Sequence, residues 1–68
     1  MLITVNGQPT ELPSGATVDS VVRLLDVAPD GRGVAVALNG EVVQRARWQL
    51  TKLSAGARIE VVAAIQGG

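Results

Sequence analysis

A chain of 68 residues with no cysteine and no histidine is one small domain; it offers no disulfide, no thiolate metal site, no thiol nucleophile and no imidazole base. Six basic and six acidic residues cancel to a formal charge of zero and are interspersed, so no basic stripe points to nucleic acid. Together these absences argue against an enzyme acting alone, and no clustered carboxylates stand in for the missing groups.

At 47% apolar, with Trp48 as its one aromatic residue, the chain must build its core from Val, Leu, Ile and Ala. No run approaches the roughly 20 apolar residues of a membrane span, and no secretory signal opens the sequence. The expectation is a cytoplasmic protein that is monomeric when free, with no membrane partner.

Leu2-Ile3-Thr4-Val5 is short and β-branched, and Asn6-Gly7 supplies the positive φ angles of a type I′ turn. Gln8 to Leu12 is then the return strand of a hairpin. Pro9 withholds an amide donor there, which suits an edge strand. Pro13-Ser14-Gly15-Ala16 breaks the pairing, and Thr17 is a good N-cap for a helix beginning at Val18. Val18, Val21, Val22 and Leu25 fall at i, i+3, i+4 and i+7, the apolar stripe of an amphipathic helix, with Asp19, Ser20 and Arg23 on its wet side. Asp19 lies in the first turn, where the helix dipole favours negative charge. Three valines lower helix propensity, so packing must hold this element more than its own preference does. Pro29-Asp30-Gly31-Arg32-Gly33 reads as the loop after it.

Val34-Ala35-Val36-Ala37-Leu38 is a second apolar strand, with the larger residues on one face and the alanines on the other. A second Asn-Gly, Asn39-Gly40, turns it back into Glu41-Val42-Val43. Gln44 to Gln49 reads as an irregular segment or one helical turn, and Leu50 and Leu53 are expected to add to the core. Trp48 reads as a cover for a core edge rather than a ligand contact, and Arg45 and Arg47 as solvated. After the turn at Ser54-Ala55-Gly56-Ala57, Arg58 to Ile65 is the last strand, with Ile59, Val61, Ala63 and Ile65 on one face and Arg58, Glu60, Val62 and Ala64 on the other.

The order is ββαββ with small extra turns, an α+β class. Packing one helix across one face of a mixed four- or five-stranded sheet buries these stripes. The last strand is expected in the middle, parallel to the first. Val62 and Ala64 beside Ala35 and Ala37 would make an apolar patch on the open face, which reads as a partner-docking surface that includes Gln66. Gln66-Gly67-Gly68 continues from the last strand without a linker. The expected organisation is a domain over residues 1–65 and a flexible tail over 66–68. A frayed end is the plain alternative for Gly-Gly.

Ala35 to Arg45, the Trp three residues later and the Gly-Gly ending an apolar strand resemble the ThiS family of sulfur carriers in thiamine biosynthesis, which have the ubiquitin-like β-grasp fold. The likeness covers the whole chain; its most diagnostic parts are Asn39-Gly40, Val43, Arg45, Trp48 and Gly67-Gly68. Gln44 stands where the family often has proline, which leaves the chemistry untouched.

The resemblance implies that the Gly68 carboxylate is adenylated by a ubiquitin-activating-like partner enzyme, which consumes ATP. It implies conversion to a thiocarboxylate by a sulfur donor, a persulfide-bearing protein, and delivery of the sulfur to thiazole synthase. On this reading the chain binds no cofactor and no metal and has no catalytic residue; Gly67 and Gly68 are its chemical site. The same fold also serves molybdenum-cofactor synthesis and other sulfur-transfer pathways. Covalent modification of lysines and passive binding are the readings from other classes.

Overall fold

The computed structural model describes residues 1–26 and 33–63. Ile65, with residues 64 and 66–68, lies outside that set, as does most of the segment expected as a loop, Pro29 to Gly33, so the expected boundary between a domain and a tail lies outside it too.

Two hairpins flank one helix. β1 (Leu2–Val5) pairs antiparallel with β2 (Gln8–Glu11), with Val5 opposite Gln8 across a two-residue turn. β3 (Val34–Leu38) pairs antiparallel with β4 (Glu41–Val42), with Leu38 opposite Glu41. In both turns the central residues have positive φ: 49° and 81° at Asn6-Gly7, 49° and 87° at Asn39-Gly40. These are the values a type I′ turn demands and the reason Asn-Gly occupies both corners.

β5 (Arg58–Ala63) inserts between the hairpins, parallel to β1 and antiparallel to β3, giving the order β2-β1-β5-β3-β4. The proline-bearing β2 is thereby an edge strand, as its missing donor requires. This five-stranded mixed sheet with one helix is the β-grasp arrangement.

The helix α1 (Val18–Leu25) is capped by Thr17, whose hydroxyl accepts from the Ser20 amide while Ser20 Oγ accepts from the Thr17 amide. Ser20 thus takes the place that Glu or Gln holds in the usual capping box. Val18 and Asp19 donate their amides to the carbonyls of Thr51 (3.0 Å) and Trp48 (3.1 Å). The first three amides of the helix, ordinarily orphaned, therefore all have protein acceptors. At the other end Asp26 adopts the left-handed conformation and donates its amide to the Val22 and Arg23 carbonyls.

Val18, Val21 and Val22 on α1 pack on Ile3 and Val5 of β1, Val36 of β3, and Ile59 and Val61 of β5. Leu53 seals this core from the connection to β5, but Leu50 does not join it: its side chain is 71% exposed. The cause is local. Arg45–Arg47 forms a single 3₁₀ turn, continued by Trp48 and Leu50 amides that bond the Arg45 and Arg47 carbonyls. Trp48 then points inward and Leu50, two residues on, points out. Ala63 also departs from expectation. Alternation places it with Ile59 and Val61, yet it is exposed, because its partner Val34 is the first residue of β3 and both lie at the rim of the core.

Candidate functional site

Gly67, Gly68, Gln66 and Ala64, the site and docking residues expected from the sequence, lie outside the described residues. The structure shows the base from which they continue. β5 is the central strand, with a partner along each edge, and a central strand is the best-held element of a sheet of this size. Its β3 side is paired from Leu38↔Ile59 up to Val34↔Ala63.

On its β1 side the backbone pairing is shorter. Thr4 and Asn6 donate their amides to the Ala57 and Ile59 carbonyls at 2.9 and 3.0 Å, and there β1 turns away. The Asn6 carboxamide takes over. Its Oδ1 accepts from the Val61 amide at 2.8 Å, and its Nδ2 donates to the Val61 carbonyl at 3.2 Å. An amide side chain carries one acceptor and donors in the arrangement of a peptide group, so it can stand in for the next residue of the strand. Asn39 clasps the start of β5 from the other hairpin with one side-chain and one backbone group: its backbone amide donates to the Arg58 carbonyl at 2.7 Å and its Oδ1 accepts from the Arg58 amide at 2.9 Å. Both asparagines read from the sequence as turn residues. Their second role is not legible there, because it depends on which strand lies beside each turn.

The face of the sheet opposite the helix is open. Ala35 stands directly opposite Val62 in the register, and Ala37 is flanked by Glu60 on β5 and Val42 on β4. Ala35 is exposed and Ala37 half-buried; Val62 is 63% exposed and Val42 78%. Val42 is an addition to the residues expected on this face. The two-residue turn at Asn39-Gly40 already implies that it sits across from Ala37, so register is the signal that finds it. Arg58 and Glu60 are exposed on this face beside Val62, one charge of each sign next to the apolar residues.

Trp48 is 3% exposed and donates its Nε1 hydrogen to the Val43 carbonyl at 2.8 Å. It belongs to the core and is not a surface contact. Among the described residues no charged side chain is buried, no group of three or more carboxylates gathers to hold a metal ion, and no helix is long and apolar enough to cross a membrane.

Residues 3–68 match the sequence model of the ThiS family. A crystal structure of a thiamine biosynthesis protein (ThiS) from Geobacter metallireducens aligns over the full length of both chains, with 33% identity and a TM-score of 0.80. A solution NMR structure of a thiamine biosynthesis protein from the same organism aligns over 100% of this chain and 88% of its own, with 33% identity and a TM-score of 0.81. No curated protein matches the chain.

Proposed function

This chain belongs to the ThiS family, the sulfur carriers of thiamine biosynthesis, and from that premise we propose that Gly68 carries the transferred sulfur as a C-terminal thiocarboxylate. The observation that carries this reading is the family match itself, which runs through Gly67-Gly68 rather than stopping at β5. Both solved relatives are thiamine biosynthesis proteins, which favours the thiazole pathway over molybdenum-cofactor synthesis.

The chemistry stems from what a carboxylate lacks. Its negative charge repels nucleophiles, and oxide is a poor leaving group. A partner adenylating enzyme joins the Gly68 carboxylate to the α-phosphate of ATP and releases pyrophosphate, which removes the charge and installs AMP as the leaving group. The outer sulfur of a persulfide-bearing donor then displaces AMP to form an acyl disulfide, and a thiol on the donor or the adenylating enzyme cleaves its S–S bond, leaving the thiocarboxylate on Gly68 and a disulfide on the partner. The sulfur must come from outside, because this chain has no cysteine. The resulting thiocarboxylate is the sulfur nucleophile offered to thiazole synthase.

Gly67 and Gly68 contribute by having no Cβ, so the end of the chain can enter a narrow cleft in conformations closed to other residues. Residues 66–68 act as the tail and the preceding chain as its base. The open face around Val62, Ala35 and Ala37 docks the partners, with Ala64 and Gln66 as further docking residues. The chain is then a carrier and co-substrate, with catalytic groups on its partners and cytoplasmic ATP as the energy source.

Incubation with ATP, the adenylating enzyme and the sulfur donor should convert the chain to a species heavier by the difference between one sulfur and one oxygen, read by intact mass. Gly68→Ala should suppress that species while leaving thermal unfolding unchanged. If the wild-type chain stays at its original mass with all three present, the thiocarboxylate reading fails.

A further inference from the structure

Val61 directs its amide and its carbonyl toward the β1 side of β5, and both meet the carboxamide of Asn6. The last bond from the β1 backbone reaches only Ile59. One side chain therefore extends the hold on this edge of β5 by a full step, to within two residues of Ala63, the last described residue of the strand. Asn39 makes the matching contact at Arg58, the opposite end of the same strand.

We propose that Asn6 is a positioning residue for activation of the chain end: by holding Val61 from the β1 side, beyond the last β1 backbone bond, it steadies the strand that leads to Gly68 and so governs how Gly68 is aimed. This role rests on the proposed function above. Gly68 is five residues beyond Ala63. At roughly 3.3–3.6 Å per extended residue, that segment spans at most about 18 Å. A short segment on a firmly held base keeps the reacting group at high effective concentration in a docked partner's cleft, and loosening the base lowers that concentration. The hydrogen bonds of Asn6 go to the backbone of Ile59 and Val61 and not to the docking residues Ala35, Ala37 and Val62, so the effect belongs to the step after docking.

The asparagine at the other end of β5 supplies the control. Asn6→Ala and Asn39→Ala each delete a carboxamide from an exposed type I′ turn and free a β5 amide, but only the first does so near the tail. Steady-state adenylation with ATP and the partner enzyme is measured for wild type and both variants, alongside amide exchange by NMR. For N6A the Val61 amide should exchange about tenfold faster, the loss expected of one hydrogen bond. Its kcat should fall at least about fivefold with KM unchanged, the mark of misplaced reacting groups in a normally docked complex. N39A should expose the Arg58 amide and keep kcat within about twofold of wild type. Should N6A fail to fold, N6D serves in its place: it retains the acceptor for the Val61 amide and loses the donor to the Val61 carbonyl, and kcat should again fall at constant KM. Equal kcat losses in the Asn6 and Asn39 variants, an effect on KM alone, or an unaltered Val61 exchange rate in N6A would overturn the proposal. A wild-type chain that is not adenylated at all sinks the carrier reading and the positioning role with it, whereas the Val61 exchange rate reports on the clamp separately.

Discussion

Trp48 buries its indole in an otherwise aliphatic core and directs its one polar atom at the Val43 carbonyl. The side chain therefore does two separable things, filling volume and satisfying an acceptor. Trp48→Ala removes both and should cost about 3–5 kcal/mol, the range for deleting a buried large aromatic. Trp48→Phe keeps most of the packing and loses the hydrogen bond, so about 1–2 kcal/mol is expected. Leu50, two residues on and exposed, should tolerate Leu50→Ser within about 0.5 kcal/mol. Urea unfolding midpoints at constant m-value check the series. Nothing in the sequence separates Leu50 from Leu53, since both are leucines in the same connection. The 3₁₀ turn sends Trp48 inward and Leu50 outward through backbone bonds that do not depend on which side chains it carries, whereas the Leu53 amide is held by the Ala16 carbonyl beside the helix.

At the scale of elements, α1 was readable because its valines recur at helical spacing and Thr17 precedes them. The capping by Thr51 and Trp48 was not readable, because those carbonyls come from a segment some 30 residues away that only folding brings to the helix N-terminus. The Asp19–Arg23 pair at 2.8 Å, one turn apart with the acid first, adds only about 0.3–0.5 kcal/mol on so exposed a surface. The Thr17 cap matters more. Thr17→Ala should lower stability by about 1 kcal/mol, and Thr17→Ser should restore most of it, since either hydroxyl can accept from the Ser20 amide. Thermal unfolding followed by circular dichroism tests this; in a domain this small, 1 kcal/mol corresponds to a shift in Tm of about 4–8 °C. An unchanged Tm in Thr17→Ala would mean that the Thr51 and Trp48 carbonyls hold the helix start unaided.

At the scale of the whole molecule, the sheet has one covered and one open face, and the open one brings Ala35, Ala37, Val42 and Val62 next to one another. Small and β-branched residues there leave the surface flat, and Val62 lies on the strand that leads to the tail. Val62→Lys should leave Tm within about 3 °C of wild type, because the side chain is already mostly in water. On the docking role proposed for this face, the same change should raise KM for adenylation at least about tenfold with kcat little altered, the reverse of the pattern expected for Asn6→Ala. Steady-state kinetics against the concentration of this chain distinguish the two, and an unchanged KM would remove Val62 from the docking surface.

The order of elements, both corners and the helix with its cap were legible because each rests on local stereochemistry, and the central place of β5 followed from the economy of packing one helix across one mixed sheet. Asn-Gly tolerates two positive φ angles, a threonine hydroxyl accepts from a first-turn amide, and valines at i, i+3 and i+4 share one face. Gly67-Gly68 stands out in the sequence as residues defined by what they lack, and lies outside the described residues. Tertiary structure alone decided the rest. It turned the two asparagines from corner residues into clamps on β5, gave the helix its far acceptors, sent Leu50 to solvent and set Val42 beside Ala37. Each of these depends on a hydrogen bond or a register between segments distant in the chain, and no local preference encodes which distant group will be there to receive it.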